Sequence, residues 1–127
     1  MYQPKLEKDR RCPLDYALEL FSGKWKSRII CLLAKNGPMR YSSLRKELQN
    51  ITDAVLSSTL KEMIASDIID RRSYDEIPPR VEYHLTPKGD SLIPILVQLC
   101  EWSVAVQLEN QDVAKSYCGD CQYCSEK

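Results

Sequence analysis

"RRSYDEIPPRVEYHLTPKG", residues 71–89, is the stretch on which the fold turns. "IIDRRSY" and "RVEYHL" are rich in β-branched and aromatic residues, the composition of strands. Between them lies "DEIPP", whose Pro78 and Pro79 stiffen the loop and remove two backbone donors. In the second run Val81, Tyr83 and Leu85 alternate with Arg80, Glu82 and His84, so the two sets point to opposite faces. A stiff hairpin with Arg80 at its base can be a projection that reaches a partner, or a plain ribbon that closes a core. What precedes it decides.

Upstream, "TDAVLSSTLKEMIASD" (52–67) reads as a helix. Thr52 is a good N-cap, and Asp53 suits the positive first turn. Val55, Leu56, Leu60, Met63 and Ile64 form an apolar stripe, while Ala54, Ser57, Ser58 and Lys61 fall on the other side. "MRYSSLRKELQ" (39–49) reads as a shorter helix with Leu44 and Leu48 inward and Ser42, Ser43, Arg45 and Lys46 outward. Two helices joined tightly, the second with a small polar face, make a helix-turn-helix pattern. A helix enters the major groove of DNA only if its leading face carries short or flexible polar side chains. Any amphipathic helix has a polar face, so the pattern gains its weight from the hairpin that follows, which then reads as a wing.

Further out, "CPLDYALELFSGKW" (12–25) opens with Pro13 in a first helical turn, carries Leu14, Ala17, Leu18 and Phe21 at helical spacing, and stops at Gly23. A second helix is expected from about Lys24 to Lys35, ended by "NGP" at 36–38. After the hairpin, Thr86 caps and Pro87 starts a long helix running to about Leu108. Leu92, Ile93, Ile95, Leu96, Leu99, Trp102, Val104, Val106 and Leu108 give it more apolar girth than one buried face requires. Pro94 should kink it. The expected fold is α+β, mostly α: a winged helix-turn-helix with a β-hairpin wing and a long C-terminal dimerisation helix. Leu96, Leu99, Trp102 and Val106 are the candidate dimer contacts of a two-fold pair.

The 127 residues suit one domain, with 43% hydrophobic and 28% charged residues, as in ordinary globular chains. No apolar run reaches about 18 residues, and the polar N-terminus does not resemble a secretory signal, so a cytoplasmic protein is expected. Net charge is zero, yet residues 1–89 hold 16 Lys and Arg against 12 Asp and Glu. Between Gly23 and Lys46 lie seven basic residues, among them Lys24, Lys26 and Arg40, and no acidic one. Such a patch fits a polyanion, or simply a solvated helix face. No Ser-His-Asp set, paired-carboxylate motif or phosphate-binding glycine loop is present, and no enzyme is expected.

Six cysteines without an export signal argue for metal or redox roles rather than a disulfide scaffold. Cys31 and Cys100 sit among apolar residues as filler. Cys12, beside Arg10 and Arg11 at a helix start, is a redox-sensing candidate, or an inert thiol. "CGDCQYC" spaces Cys118, Cys121 and Cys124 as zinc thiolates or a redox pair. Three ligands are one short of a closed zinc site, so zinc is possible here and no cofactor is required. A reduced tail without a ligand is the plain alternative. A thiol-disulfide exchange protein using Cys118 and Cys121 is the competing function, and a metal-responsive regulator a third.

"CPLDYALELFSGKWKSRIICLL", "MRYSSLRKEL", "ITDAVLSSTLKEM" and "RRSYDEIPPRVEYHLTPKGDSLIPIL" together resemble the HxlR-type winged-helix regulators of bacteria, relatives of the MarR type. The resemblance covers residues 11–106, leaving 107–127 as an extension that carries the cysteine tail. It implies a homodimeric transcriptional regulator, repressor or activator, on double-stranded DNA with a pseudo-palindromic operator. It implies recognition-helix roles for Thr52, Ser57, Ser58 and Lys61, a wing role for Arg80, and an entry role for Lys24 and Lys26. Arg40, Ser42 and Ser43 join the expected DNA surface, and some members sense oxidants through a cysteine matching Cys12. Ala54 departs from the long polar residue common at its position, so a base hydrogen bond there is replaced by a possible thymine-methyl contact.

Overall fold

A computed structural model describes residues 12–107. Helix α1 spans Pro13–Phe21, with Pro13 in its first turn and Asp15 near its positive end. It stops at Ser22, and Gly23 follows at φ +100°, a left-handed conformation that suits glycine. Helix α2, Lys26–Asn36, starts two residues later than the composition suggests, because Trp25 serves as its N-cap. Gly37 ends it at φ +77°.

Met39–Arg40 form a strand, β1, rather than the start of the helix their sequence suggests. Met39 is buried and pairs with Tyr83, while Arg40 pairs with Glu82, so distant strand pairing overrides local helical propensity. Helix α3, Tyr41–Leu48, buries Leu44 and Leu48 as their spacing requires. Gln49, at φ +63°, breaks it. Helix α4, Asp53–Ala65, buries Leu56, Thr59, Leu60 and Met63. Val55, expected in that stripe, is 40% exposed, and Thr59 takes the inward place.

The hairpin is β2, Ile69–Tyr74, and β3, Arg80–Leu85, antiparallel with Ile69 opposite Leu85 and Tyr74 opposite Arg80. The sheet order is β1-β3-β2. The single long C-terminal helix is corrected to two. A short α5, Pro87–Asp90, is followed by a break at Ser91–Leu92 and by α6, Ile93–Val106. Pro94 does not kink a helix; it occupies the first turn of α6, where its missing N–H leaves no bond unmade.

The core gathers side chains from every layer: Ile29 and Ile30 of α2, Leu44 of α3, Leu56 and Met63 of α4, and Ile68 and Ile69 are fully buried. Leu92 and Leu96 seal α6 onto it. The stretch Pro87–Val106 has a mean hydropathy of 1.2 over 18 residues, enough by length and composition to cross a bilayer. The break at Ser91–Leu92 leaves α6 with 14 residues, about 21 Å, short of a hydrocarbon core of about 30 Å.

Candidate nucleic-acid interface

Helix α4 is fixed at its leading end. Thr52 Oγ1 accepts the Val55 N–H at 3.2 Å. One residue on, Asp53 Oδ1 accepts from the Tyr41 hydroxyl at 3.0 Å and pairs with Arg45 Nε at 3.1 Å. Tyr41 and Arg45 stand one turn apart on α3, so α3 clasps the first residue of α4 and fixes the angle between the two helices. This clasp went unread in the sequence, where Asp53 was credited only with its favourable place at the helix start. The i,i+4 spacing of Tyr41 and Arg45 was the available signal.

Beyond the clasp, Ala54, Ser57, Ser58 and Lys61 are all exposed along one side of α4, and Thr52 is exposed at its tip. Ser42 and Ser43 are exposed in the first turn of α3, and Arg40 is exposed on β1. Lys24 is exposed and sits 4.9 Å from the Trp25 ring centroid, with Arg28 at 5.3 Å. Trp25 packs on the core, so the "GKWK" stretch is an anchor with cations around it.

Two expected contacts are placed otherwise. Lys26 turns inward: Nζ pairs with Glu62 at 3.2 Å and donates to the Glu19 carbonyl at 3.3 Å, leaving the side chain 18% exposed. It ties α1, α2 and α4 together rather than facing outward. Arg80 folds back on its own hairpin. It pairs with Glu76 at 2.9 Å and Glu82 at 3.6 Å, and stacks 3.9 Å from the Tyr74 ring centroid. Its Nε is buried without a hydrogen-bond partner. The carboxylate of Glu76, in the wing loop, is thus engaged by Arg80. Arg71 and Arg72, exposed on β2, are the outward cations of the wing.

A family model described as HxlR-like helix-turn-helix matches residues 20–111. The chain belongs to the HxlR-like helix-turn-helix family. Its relatives include an uncharacterised HTH-type transcriptional regulator of Halalkalibacterium halodurans, 44% identical over 84% of this chain and 94% of that one. Another, from Methanothermobacter thermautotrophicus, is 47% identical over 72% of this chain and 69% of its own length. Among solved structures, a MarR-family transcriptional regulator from Enterococcus faecalis matches with a TM-score of 0.71 at 37% identity, over 76% of this chain and 87% of its own. The oxidised form of the redox regulator HypR matches with a TM-score of 0.69 at 35% identity, over 74% and 96%. The fold is therefore the winged helix of the MarR-type regulators, and α3–α4 and β2–β3 are its helix-turn-helix and wing. This is a family of transcriptional regulators, not of enzymes.

The HxlR-like chain exposes Ile95, Leu99, Trp102 and Val106 on α6, at spacings of four, three and four. Leu96, expected among the dimer contacts, is corrected: it is 6% exposed and packs in the chain's own core. Ile95 takes the outward place. Leu14 and Leu18 of α1 are likewise exposed. Cys12 is exposed as the N-cap residue of α1, and Cys31 and Cys100 are half-buried. Cys118, Cys121 and Cys124 lie outside the described residues. Among the described residues no cluster of His, Cys, Asp or Glu could hold a metal ion. The described sheet is antiparallel throughout, unlike the βαβ setting a thioredoxin-like exchange protein would use.

Proposed function

We propose that the chain is a sequence-specific DNA-binding regulator that acts as a homodimer on a pseudo-palindromic operator. The observation that carries this is α4: capped by Thr52, clasped through Asp53, and outward along Ala54, Ser57, Ser58 and Lys61. That face is narrow and short enough to enter a major groove. Lys61 follows two turns in, placed for a phosphate, and Arg71 and Arg72 on the wing would meet the flanking backbone. The apolar stripe of α6, with Leu14 and Leu18 of α1, supports pairing of two chains, since a monomer has no use for four large apolar side chains in one exposed row. A dimer then sets two copies of α4 about one turn of DNA apart.

Redox control is part of this reading. Cys12 presents an exposed thiol at the start of α1, on the helix whose Leu14 and Leu18 would face the partner chain. Similarity to HypR and to YodB of Bacillus subtilis, the latter at 27% identity with a TM-score of 0.63, supports it. The test is retention of genomic fragments by the purified protein at low ionic strength, followed by footprinting. A two-fold symmetric protected site is expected, with affinity falling steeply as salt rises. No retained fragment would overturn the proposal. A Cys12→Ser chain should bind the same site but lose any response to the thiol oxidant diamide; an undiminished response would remove Cys12 from the mechanism.

A further inference from the structure

The leading face of α4 has an unusual chemical character for a helix that reads DNA. Asp53 Oδ1 is held by the Tyr41 hydroxyl and Arg45 Nε, so its carboxylate is turned toward α3 and offers a base no hydrogen-bond donor. The Ser58 hydroxyl donates to the Val55 carbonyl at 3.2 Å, back into its own helix. What remains outward over the first two turns is the Ala54 methyl, the 40%-exposed Val55 and the Ser57 hydroxyl. At helical spacing Ala54 lies in the middle of the face, with Val55 and Ser57 at its two edges.

The most selective reading of guanine or adenine in the major groove uses a side chain with two suitably spaced groups: Arg or Lys on guanine O6 and N7, Asn or Gln on adenine N6 and N7, whereas a single Ser or Thr hydroxyl accepts either base. Residues 52–60 contain none of these four types. The leading turns of α4 therefore cannot make the bidentate contacts on which most helices of this kind rely. The groove offers one apolar feature that distinguishes base pairs, the C5-methyl group of thymine, and short apolar side chains meet it well.

We propose that α4 selects its site by packing Ala54 and Val55 against thymine C5-methyl groups. Ser57 adds a single hydrogen bond, and Lys61 supplies charge without base choice. This rests on the DNA-binding reading above and names the base feature that is read. It predicts an operator in which each half-site carries thymine at one or two fixed positions under the tip of α4, where guanine is not tolerated.

The experiment needs no prior operator. The full chain selects duplexes from a randomised double-stranded library, and the enriched duplex is resynthesised with deoxyuridine for thymidine. Deoxyuridine pairs identically and lacks only the methyl. One buried methyl corresponds to about a fourfold change in affinity, so replacing the contacted thymine in both half-sites should weaken binding roughly sixteenfold. Replacements elsewhere in the duplex should change it by less than about twofold, on the scale of that single methyl. The dependence on salt should be unchanged, because phosphate contacts are untouched. Val55→Ala, at a position outside the core, should bring the ratio of thymidine to deoxyuridine affinity toward one, as should Ala54→Gly. Equal binding of the fully deoxyuridine-substituted duplex overturns the inference, as does an unchanged ratio in both variants. Failure to enrich any duplex would overturn the DNA-binding reading itself. It would show at the selection step rather than in the thymidine comparison.

Discussion

A Cβ added to Gly89 would lie 2.2 Å from the Ile68 carbonyl oxygen, closer than any packing allows. The reason is the clip around it. Thr86 Oγ1 donates to the Asp67 carbonyl at 2.5 Å and accepts the Gly89 N–H at 3.0 Å, while Lys88 Nζ donates to the Ser66 carbonyl at 2.9 Å. These bonds draw α5 onto the turn that leaves α4, so the end of the wing is anchored to the end of α4. Gly89→Ala should cost about 2–3 kcal/mol of folding free energy, since the clashing atom is backbone and cannot swing aside. Urea unfolding would read this as a lower midpoint at unchanged slope. Tyr41→Phe deletes one hydroxyl and should cost about 1 kcal/mol. Because it loosens the clasp on Asp53, DNA affinity should fall too, though Tyr41 need touch no DNA; full affinity in Tyr41→Phe would refute the clasp as a positioning device. Both N-caps were legible in the sequence, because Thr52 and Thr86 bond to backbone three residues on. The need for Gly89 and the Asp53 clasp were not, because each depends on a partner brought in by folding: Ile68 lies 21 residues from Gly89, and Tyr41 lies 12 from Asp53.

At the scale of elements, the wing was readable as a hairpin because alternation and the turn residues are local. Its working face was not. Arg80, expected at the base of the hairpin, stands instead at its loop end, where Tyr74 opposite it and Glu76 and Glu82 on either side collect its charge. Exposed ion pairs contribute little individually, so the hold comes from two carboxylates and a ring acting on one partly buried guanidinium. The two roles separate by salt dependence. Removing a phosphate contact lowers the slope of log affinity against log salt by about one. Arg71→Ala or Arg72→Ala should therefore flatten the slope, whereas Arg80→Ala should weaken binding by loosening the wing and leave the slope as it was. A flattened slope in Arg80→Ala alone would return the phosphate contact to Arg80. Strand β1 escaped the sequence reading for a related reason: two residues carry no period, and only pairing to Tyr83 and Glu82 makes them a strand. The break before α6 was half visible, since Pro94 marked a disruption but not whether the chain would bend or restart.

For the whole molecule, the governing fact is an α6 with two apolar sides. Leu92 and Leu96 seal one side to the core, and Ile95, Leu99, Trp102 and Val106 leave the other bare, with Trp102 at 64% exposure. The excess apolar girth was legible from composition; which leucine faced which way was not, because a helix with apolar residues all round has no preferred inner side until the rest of the chain packs on it. In the proposed dimer, side chains buried fully along that bare side would stabilise by roughly 1.5–3 kcal/mol each, and a two-fold seam would count every one twice. Leu99→Glu would put two carboxylates into that proposed seam and leave the core contacts of Leu92 and Leu96 intact. Sedimentation should then report a species of 14.7 kDa in place of one twice that mass, with helix content by circular dichroism unchanged. The same variant should lose specific affinity by far more than the seam's distance from DNA suggests, because a single α4 engages only one half-site. Leu96→Glu should instead unfold the chain, since it buries a charge in the core. If Leu99→Glu stays dimeric, or Leu96→Glu folds as a monomer, the division of α6 into an inner and an outer side is wrong. The route from that helix to two coupled copies of α4 would then have to be redrawn.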